Sequence, residues 1–144
     1  MKVFKYGGAS VKDAEGVKNL AEILTKYKED NPLVVISAMG KTTNALEEVA
    51  RAFYLNQDDA LEKLNYVKQF HDHILTELFD KRHSIYDAVS NLFLEIEWAI
   101  EDAPRLNYSY EYDQIVSVGE LLSTTIVSAY LKEIGIDNDL LDAR

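Results

Sequence analysis

Cysteine is absent from the 144 residues, which excludes disulfides, thiolate metal sites and cysteine nucleophiles. Long apolar runs are missing too: none approaches the roughly 18 residues expected of a membrane span. The opening Met1-Lys2-Val3-Phe4-Lys5 has too short an apolar stretch for a signal peptide and runs straight into Gly-Gly. A cytoplasmic location is therefore the expectation. Basic residues are scarce, with 15 Lys and Arg against 25 Asp and Glu and a net charge of −10. A nucleic-acid binder needs a clustered positive face, so neither nucleic acid nor a membrane is expected as a partner. An anionic ligand would have to rely on local fields: one or two lysines, backbone N–H groups and helix N-termini. Proline occurs only as Pro32 and Pro104, each at the end of a helical pattern.

What is present is ordinary for a folded domain. Apolar residues make up 47% and charged residues 28%, and a chain of this length buries roughly two thirds of its unfolded surface. Residues 2–6 read as a short strand. From Asp13 to Lys28, Val17, Leu20, Ala21, Leu24 and Tyr27 fall on one helical stripe. Leu33-Val34-Val35-Ile36 follows as an apolar, partly β-branched run, the pattern of a strand buried on both faces, as in a parallel sheet. Strand, helix and strand form a βαβ unit with a right-handed crossover. The middle of the chain is helical. Asn44 with Glu47 resembles a capping box opening one helix, and Asp58 is expected to cap a second that carries Leu64, Val67, His71, Ile74 and Leu78. A third runs from Ser84 to Asp102 and a fourth from Tyr110 to Glu133, with Gly135 as its C-terminal cap. Ile136 to Asp142 reads as a third strand. His71 and His73 lie two apart and point to different helix faces, so no metal site is assigned and His71 is expected in the core.

Three segments could carry chemistry. Gly7-Gly8-Ala9-Ser10 follows the first strand, where consecutive glycines let backbone N–H groups approach an anion and Ser10 adds a hydroxyl. Lys5 reaches the same strand end, where ligands of open α/β sheets bind, and the next helix would offer its positive end. A tight turn with a surface lysine accounts for the same residues. Ser37-Ala38-Met39-Gly40-Lys41-Thr42-Thr43-Asn44 follows the second strand on the same sheet edge. There Ser37 and Thr43 are open to a ligand or a capping role, Asn44 to a cap, and Lys41 to a second positive charge or plain solvation. The third, Val118-Gly119-Glu120-Leu121-Leu122-Ser123, puts glycine inside a helix at a cost of about 1 kcal/mol. Close approach of a backbone or ligand would explain it. Glu120 beside it is either functional or simply exposed.

Together these segments resemble the aspartokinase family, a branch of the amino-acid kinase superfamily. Lys5-Tyr6-Gly7-Gly8-Ala9-Ser10-Val11 is similar to its signature Lys-Phe-Gly-Gly-Thr-Ser-Val, with Tyr6 for Phe and Ala9 for Thr. Ser37 to Asn44 matches its Ser-Ala…Gly…Thr-Asn segment, and Gly119-Glu120-Leu121-Leu122-Ser123 its Gly-Glu-x-x-Ser. The resemblance implies a three-layer αβα amino-acid-kinase-like fold, α/β in class, left incomplete, with a short mainly parallel sheet and a large helical insertion over about residues 44–134. It implies transfer of the ATP γ-phosphoryl group to the β-carboxylate of L-aspartate, giving aspartyl phosphate, the first step toward lysine, threonine and methionine. Lys5 would be catalytic. Lys5, Gly7, Gly8 and Ser10 would bind ATP phosphates, and Ser37, Thr43 and Glu120 would hold aspartate, with Mg²⁺ accompanying the nucleotide. Residues 1–144 would be the N-terminal part of the catalytic domain, without its nucleotide-binding half and the regulatory ACT domains, and inactive alone. The alternatives are a non-catalytic amino-acid- or phosphate-binding fragment, or a kinase of another small carboxylic acid. An open sheet edge also predicts a homo-oligomer.

Overall fold

The computed structural model describes residues 1–104 and 107–143. Strands β1 (Val3–Tyr6) and β2 (Leu33–Ile36) pair in parallel, with Val3 opposite Leu33 and Tyr6 opposite Ile36. The ladder extends one step further, Ser37 N–H donating to the Tyr6 carbonyl at 2.9 Å. Helix α1 (Ala14–Thr25) makes the crossover. Asp13 starts it by accepting the Gly16 N–H at 2.8 Å, and Ala14, Val17, Leu20, Ala21 and Leu24 form its buried stripe. Asn31 in the left-handed region (φ 45°) then turns the chain into Pro32 and β2.

The helical part runs from Thr42 to Glu133, close to the expected 44–134. It comprises α2 (Thr42–Tyr54), α3 (Ala60–Leu78), α4 (Ile85–Glu101), α5 (Tyr108–Val116) and α6 (Val118–Glu133). Helix α2 packs against α3 and α5, α4 packs against α6, and α6 also reaches β2. Leu46, Leu64, Ile74, Leu75, Ile96, Ile115, Leu122 and Ile126 are fully buried at the centre of one continuous core. By length and composition the run Tyr108–Glu133 could cross a membrane. In the fold it is spent on this core, α6 being buried around most of its circumference.

Five expectations need correction. Strand β2 is covered on one face rather than both, because Leu33 and Val35 lie on the side of the sheet that no helix among the described residues covers and remain exposed. Asn44 is not a cap: α2 begins two residues earlier with Lys41 in the cap position, because Thr42 packs into the interior and draws the helix start inward. Asp59 rather than Asp58 holds the cap position of α3, and its carboxylate pairs with Lys63 instead of a backbone N–H. The helix expected over Tyr110–Glu133 is two helices separated at Ser117. The first starts earlier, where Asn107 caps it by accepting the Tyr110 N–H at 3.0 Å. Finally, Ile136–Asp142 forms no strand. Gly135 (φ 83°) does close α6 as expected, its N–H donating to the Lys132 carbonyl while Ile136 N–H donates to Leu131 at 2.8 Å. Asn138 then ties the segment back onto α6. It accepts the Ser128 hydroxyl at 2.6 Å and donates to the Ser128 carbonyl at 3.2 Å. Those bonds hold the segment on the helix, and the sheet has two strands among the described residues.

Candidate functional site

The loop after β1 begins with Gly7 in extended conformation and tightens into a 3-10 turn over Gly8–Val11, where Ser10 N–H donates to the Gly7 carbonyl at 2.9 Å. The two glycines serve different purposes. Nothing lies within 4 Å of where a Cβ on Gly7 would stand, so that side of the backbone is open. A Cβ on Gly8 would stand 2.7 Å from both the Ala38 and Gly40 carbonyl oxygens. The Gly8 carbonyl itself accepts the Gly40 N–H at 3.0 Å. Gly8 is therefore glycine because the second loop presses against it. The positive end of α1 is also less available than expected, since the Asp13 carboxylate already occupies it.

The second loop carries Ser37, Ala38, Met39 and Gly40 from β2 into α2. Ala38 and Met39 are buried, Ser37 half-buried, and Gly40 adopts φ 56°. Ala38 is the hinge of the arrangement: its carbonyl faces Gly8, and its methyl faces α6. A Cβ on Gly119 would stand 3.1 Å from the Ala38 Cβ, 3.3 Å from Leu46 Cδ1 and 3.4 Å from Thr42 Cγ2. Gly119 thus lets the first turn of α6 settle on the loop, with Glu120 next to the contact. Segments separated by some 80 residues in sequence meet through one alanine.

Lys5 is exposed on the open face of the sheet, opposite Val35, and makes no ion pair among the described residues. Glu120 is half-buried in the first turn of α6 and likewise makes no ion pair among them. Its backbone carbonyl accepts the Ser123 and Thr124 hydroxyls at 3.0 and 2.8 Å, fixing that turn. Thr43 is half-buried in the first turn of α2, which no side chain caps. The structure therefore gathers the backbone of all three segments around Ala38. A cavity of about 480 Å³ lies beside the first loop, lined by Tyr6, Ser10, Lys12, Asp13 and Asn19. A larger groove of about 670 Å³ lies between β2 and α6 and contains none of the site residues named above.

Three residues here escaped sequence reasoning. Lys12 brings a further positive charge to the second loop, its Cα 3.8 Å from where a Cβ on Gly40 would stand. Thr42 is buried with its hydroxyl unpaired. Tyr6, where the family signature has Phe, has a buried hydroxyl without a partner among the described residues, and burial pushes its pKa up. A lysine following a Gly-rich loop was visible in the sequence; the other two depend on burial alone. Among the described residues no group of three or more His, Cys, Asp or Glu side chains converges as metal ligands.

A two-stranded parallel start, a glycine loop at its carboxyl end and a helical region folded back on that loop make one α/β unit whose loops gather at a single sheet edge. The chain belongs to the amino acid kinase family, whose profile matches residues 1–144. Aspartokinases are among the proteins it is similar to. Aspartokinase 1, chloroplastic, of Arabidopsis thaliana is 35% identical over 147 aligned positions, covering 98% of this chain and 25% of the relative. The aspartokinase of Chlamydia trachomatis is 31% identical over 129 positions, covering 89% of this chain and 27% of that protein. The crystal structure of E. coli aspartokinase III in complex with aspartate and ADP superposes with a TM-score of 0.77 at 28% identity. It covers 93% of this chain and 29% of that one. The short sheet and helical region thus match part of the aspartokinase fold. The chain spans about a quarter of the length of the curated relatives it matches.

Proposed function

We propose that these residues form the amino-acid side of an aspartate kinase, and that the whole protein transfers the γ-phosphoryl group of ATP to L-aspartate. The observation that carries this reading is the meeting at Ala38 of the loop holding Gly7 and Gly8, the loop holding Ser37 and Thr43, and the helix turn holding Glu120. In the reaction a β-carboxylate oxygen of aspartate forms a bond to the γ-phosphorus. The bond from that phosphorus to the β,γ-bridging oxygen breaks, and ADP leaves with the electron pair. A carboxylate with a reference pKa near 3.9 is already ionised at neutral pH, so no general base is required. The task is to align two anions and screen their repulsion.

Lys5, which has no carboxylate partner among the described residues, would neutralise charge on the transferring group. Gly7 offers the open backbone against which phosphate oxygens fit, Ser10 a hydroxyl, and Gly8 its position against the second loop rather than free space. Ser37 and Thr43 would hold the carboxylates of aspartate, and Glu120 its α-ammonium. An anionic residue there selects for a free amino group and against an N-acylated acid. Mg²⁺ belongs to the proposal as a companion of the nucleotide. The described side chains do not gather into a site for it, and we assign it no step. The nucleotide-binding half and ACT domains belong, in this reading, outside residues 1–144. A cytoplasmic site of action is part of the same proposal, although several relatives carry the designation chloroplastic.

Coupled ADP release by the full-length polypeptide encoded by the gene tests the reading. Turnover is expected with L-aspartate, with N-acetylglutamate inert and Glu120→Gln at least about tenfold weaker in kcat/KM, equal to roughly 1.4 kcal/mol. Turnover of another acid with none of L-aspartate would sink it. The coverage of only a quarter of the relatives favours a second reading for the 144-residue chain by itself: binding of aspartate or phosphate without turnover. Calorimetry with L-aspartate on that chain decides the point, heat of binding without ADP production being the expected result.

A further inference from the structure

Thr42 opens α2 directly before Thr43, yet it is buried to 3% exposure where Thr43 is half open. Its hydroxyl oxygen is out of contact with solvent and has no hydrogen-bond partner among the described residues. A threonine at a helix start has local ways to pair its hydroxyl with nearby backbone. Here the Met39 carbonyl is engaged by the Thr42 N–H at 3.0 Å. The methyl group, meanwhile, faces the first turn of α6, Cγ2 standing 3.4 Å from a Cβ placed on Gly119. Valine would fill this volume without leaving a buried donor unpaired. Native folds rarely keep such a group without a reason, and this one sits where the loop of Ser37 and Thr43 meets the turn of Glu120.

We propose that Thr42 is a positioning residue for the amino-acid substrate. Its hydroxyl is unpaired in the free protein and gains its hydrogen bond when the substrate draws the Ser37–Thr43 loop and the first turn of α6 together. The inference rests on the aspartate reading above and adds to it a residue that does not itself touch the ligand. A ligand favours one arrangement only through a difference in free energy between the two. The relieved penalty of one buried hydroxyl is such a difference. It would be spent on holding Thr43 and Glu120 in register.

Thr42→Val keeps the shape and removes the hydroxyl, while Thr42→Ser keeps the hydroxyl and removes the methyl. In the full-length polypeptide, ADP release gives KM for L-aspartate and kcat, and thermal unfolding without ligand gives Tm. Thr42→Val is expected to raise KM about tenfold with kcat within about twofold, the scale of one lost hydrogen bond. Its ligand-free Tm should be unchanged or higher, and Thr42→Ser should restore KM. A lower ligand-free Tm for Thr42→Val would mean the hydroxyl is already paired, overturning the inference, as would an unchanged KM. A wild type that turns over no aspartate sinks the substrate reading and this inference with it. An active wild type with an indifferent Thr42→Val sinks the inference alone.

Discussion

Gly7 and Gly8 are neighbours with opposite tolerances. Gly7 has extended backbone that any residue adopts and empty space where a Cβ would go. Gly7→Ala should therefore leave Tm unchanged or slightly raised, because alanine narrows the unfolded ensemble by an amount worth about 0.4–1 kcal/mol. If phosphate oxygens use that open side, the same variant should lose kcat/KM in the full-length polypeptide by at least about tenfold. Gly8→Ala inverts the pattern. Its methyl would meet two backbone oxygens at 2.7 Å, and backbone cannot rotate away as a side chain can. A loss of about 1–3 kcal/mol, the usual range for overpacking, is expected from chemical denaturation of the 144-residue chain. Equal stability of the two variants would mean that the loops do not touch as described.

At the scale of elements, α1 to α4 were legible because each buries a stripe at a period near 3.6, and His71 was rightly expected within one of them. The split at Ser117 was not legible, since Ile115, Val118 and Leu122 continue one apolar pattern across it. Nor was the fate of Ile136–Asp142, whose attachment through Asn138 to Ser128 is a contact between distant positions. The same limit applies to the site. Loops rich in glycine and hydroxyls announce themselves, but the burial of Thr42 and the pressure on Gly8 depend on which neighbour arrives. His71 in α3 carries a testable consequence of burial. Its Nδ1–H donates to the Val67 carbonyl at 2.8 Å, while Nε2 has no partner among the described residues and the Phe70 and Phe93 rings meet the imidazole edge-on. Desolvation lowers its pKa below the ordinary 6.5, outweighing the Val67 bond and the Asp72 charge. Below pH 6.5 the unfolded chain takes up a proton that the folded one refuses, so stability falls as pH drops. The slope is at most about 1.4 kcal/mol per pH unit for this group, and the effect vanishes above 6.5. Between pH 7.5 and 5.5 the denaturation midpoint of the wild type should fall relative to that of His71→Leu. Parallel curves would mean that His71 is protonated without penalty.

At the scale of the molecule, the sheet has one covered face and one bare one. Phe4, Tyr6, Val34 and Ile36 pack toward the core, while Val3, Leu33 and Val35 remain 58%, 42% and 46% exposed beside Lys5. The outer edges of β1 and β2 have no strand partner among the described residues. Such a surface invites pairing with another copy or with further chain. The 144-residue chain carries a net charge of −10 at pH 7, so two copies repel each other at distances that salt screens, about 10 Å at 0.1 M and 3 Å at 1 M. Apolar attraction and electrostatic repulsion thus respond to salt in opposite senses, and their balance can be read directly. Sedimentation of the isolated chain is expected to give a mass near 16.4 kDa at low ionic strength and protein concentration. The weight-average mass should rise as sodium chloride is raised toward 1 M. Val35→Lys places a second lysine across from Lys5 on the bare face, and should suppress that rise without lowering Tm by more than about 0.5 kcal/mol equivalent, the ordinary range for an exposed position. A mass that stays monomeric at high salt and high concentration would show that the bare sheet face does not drive association.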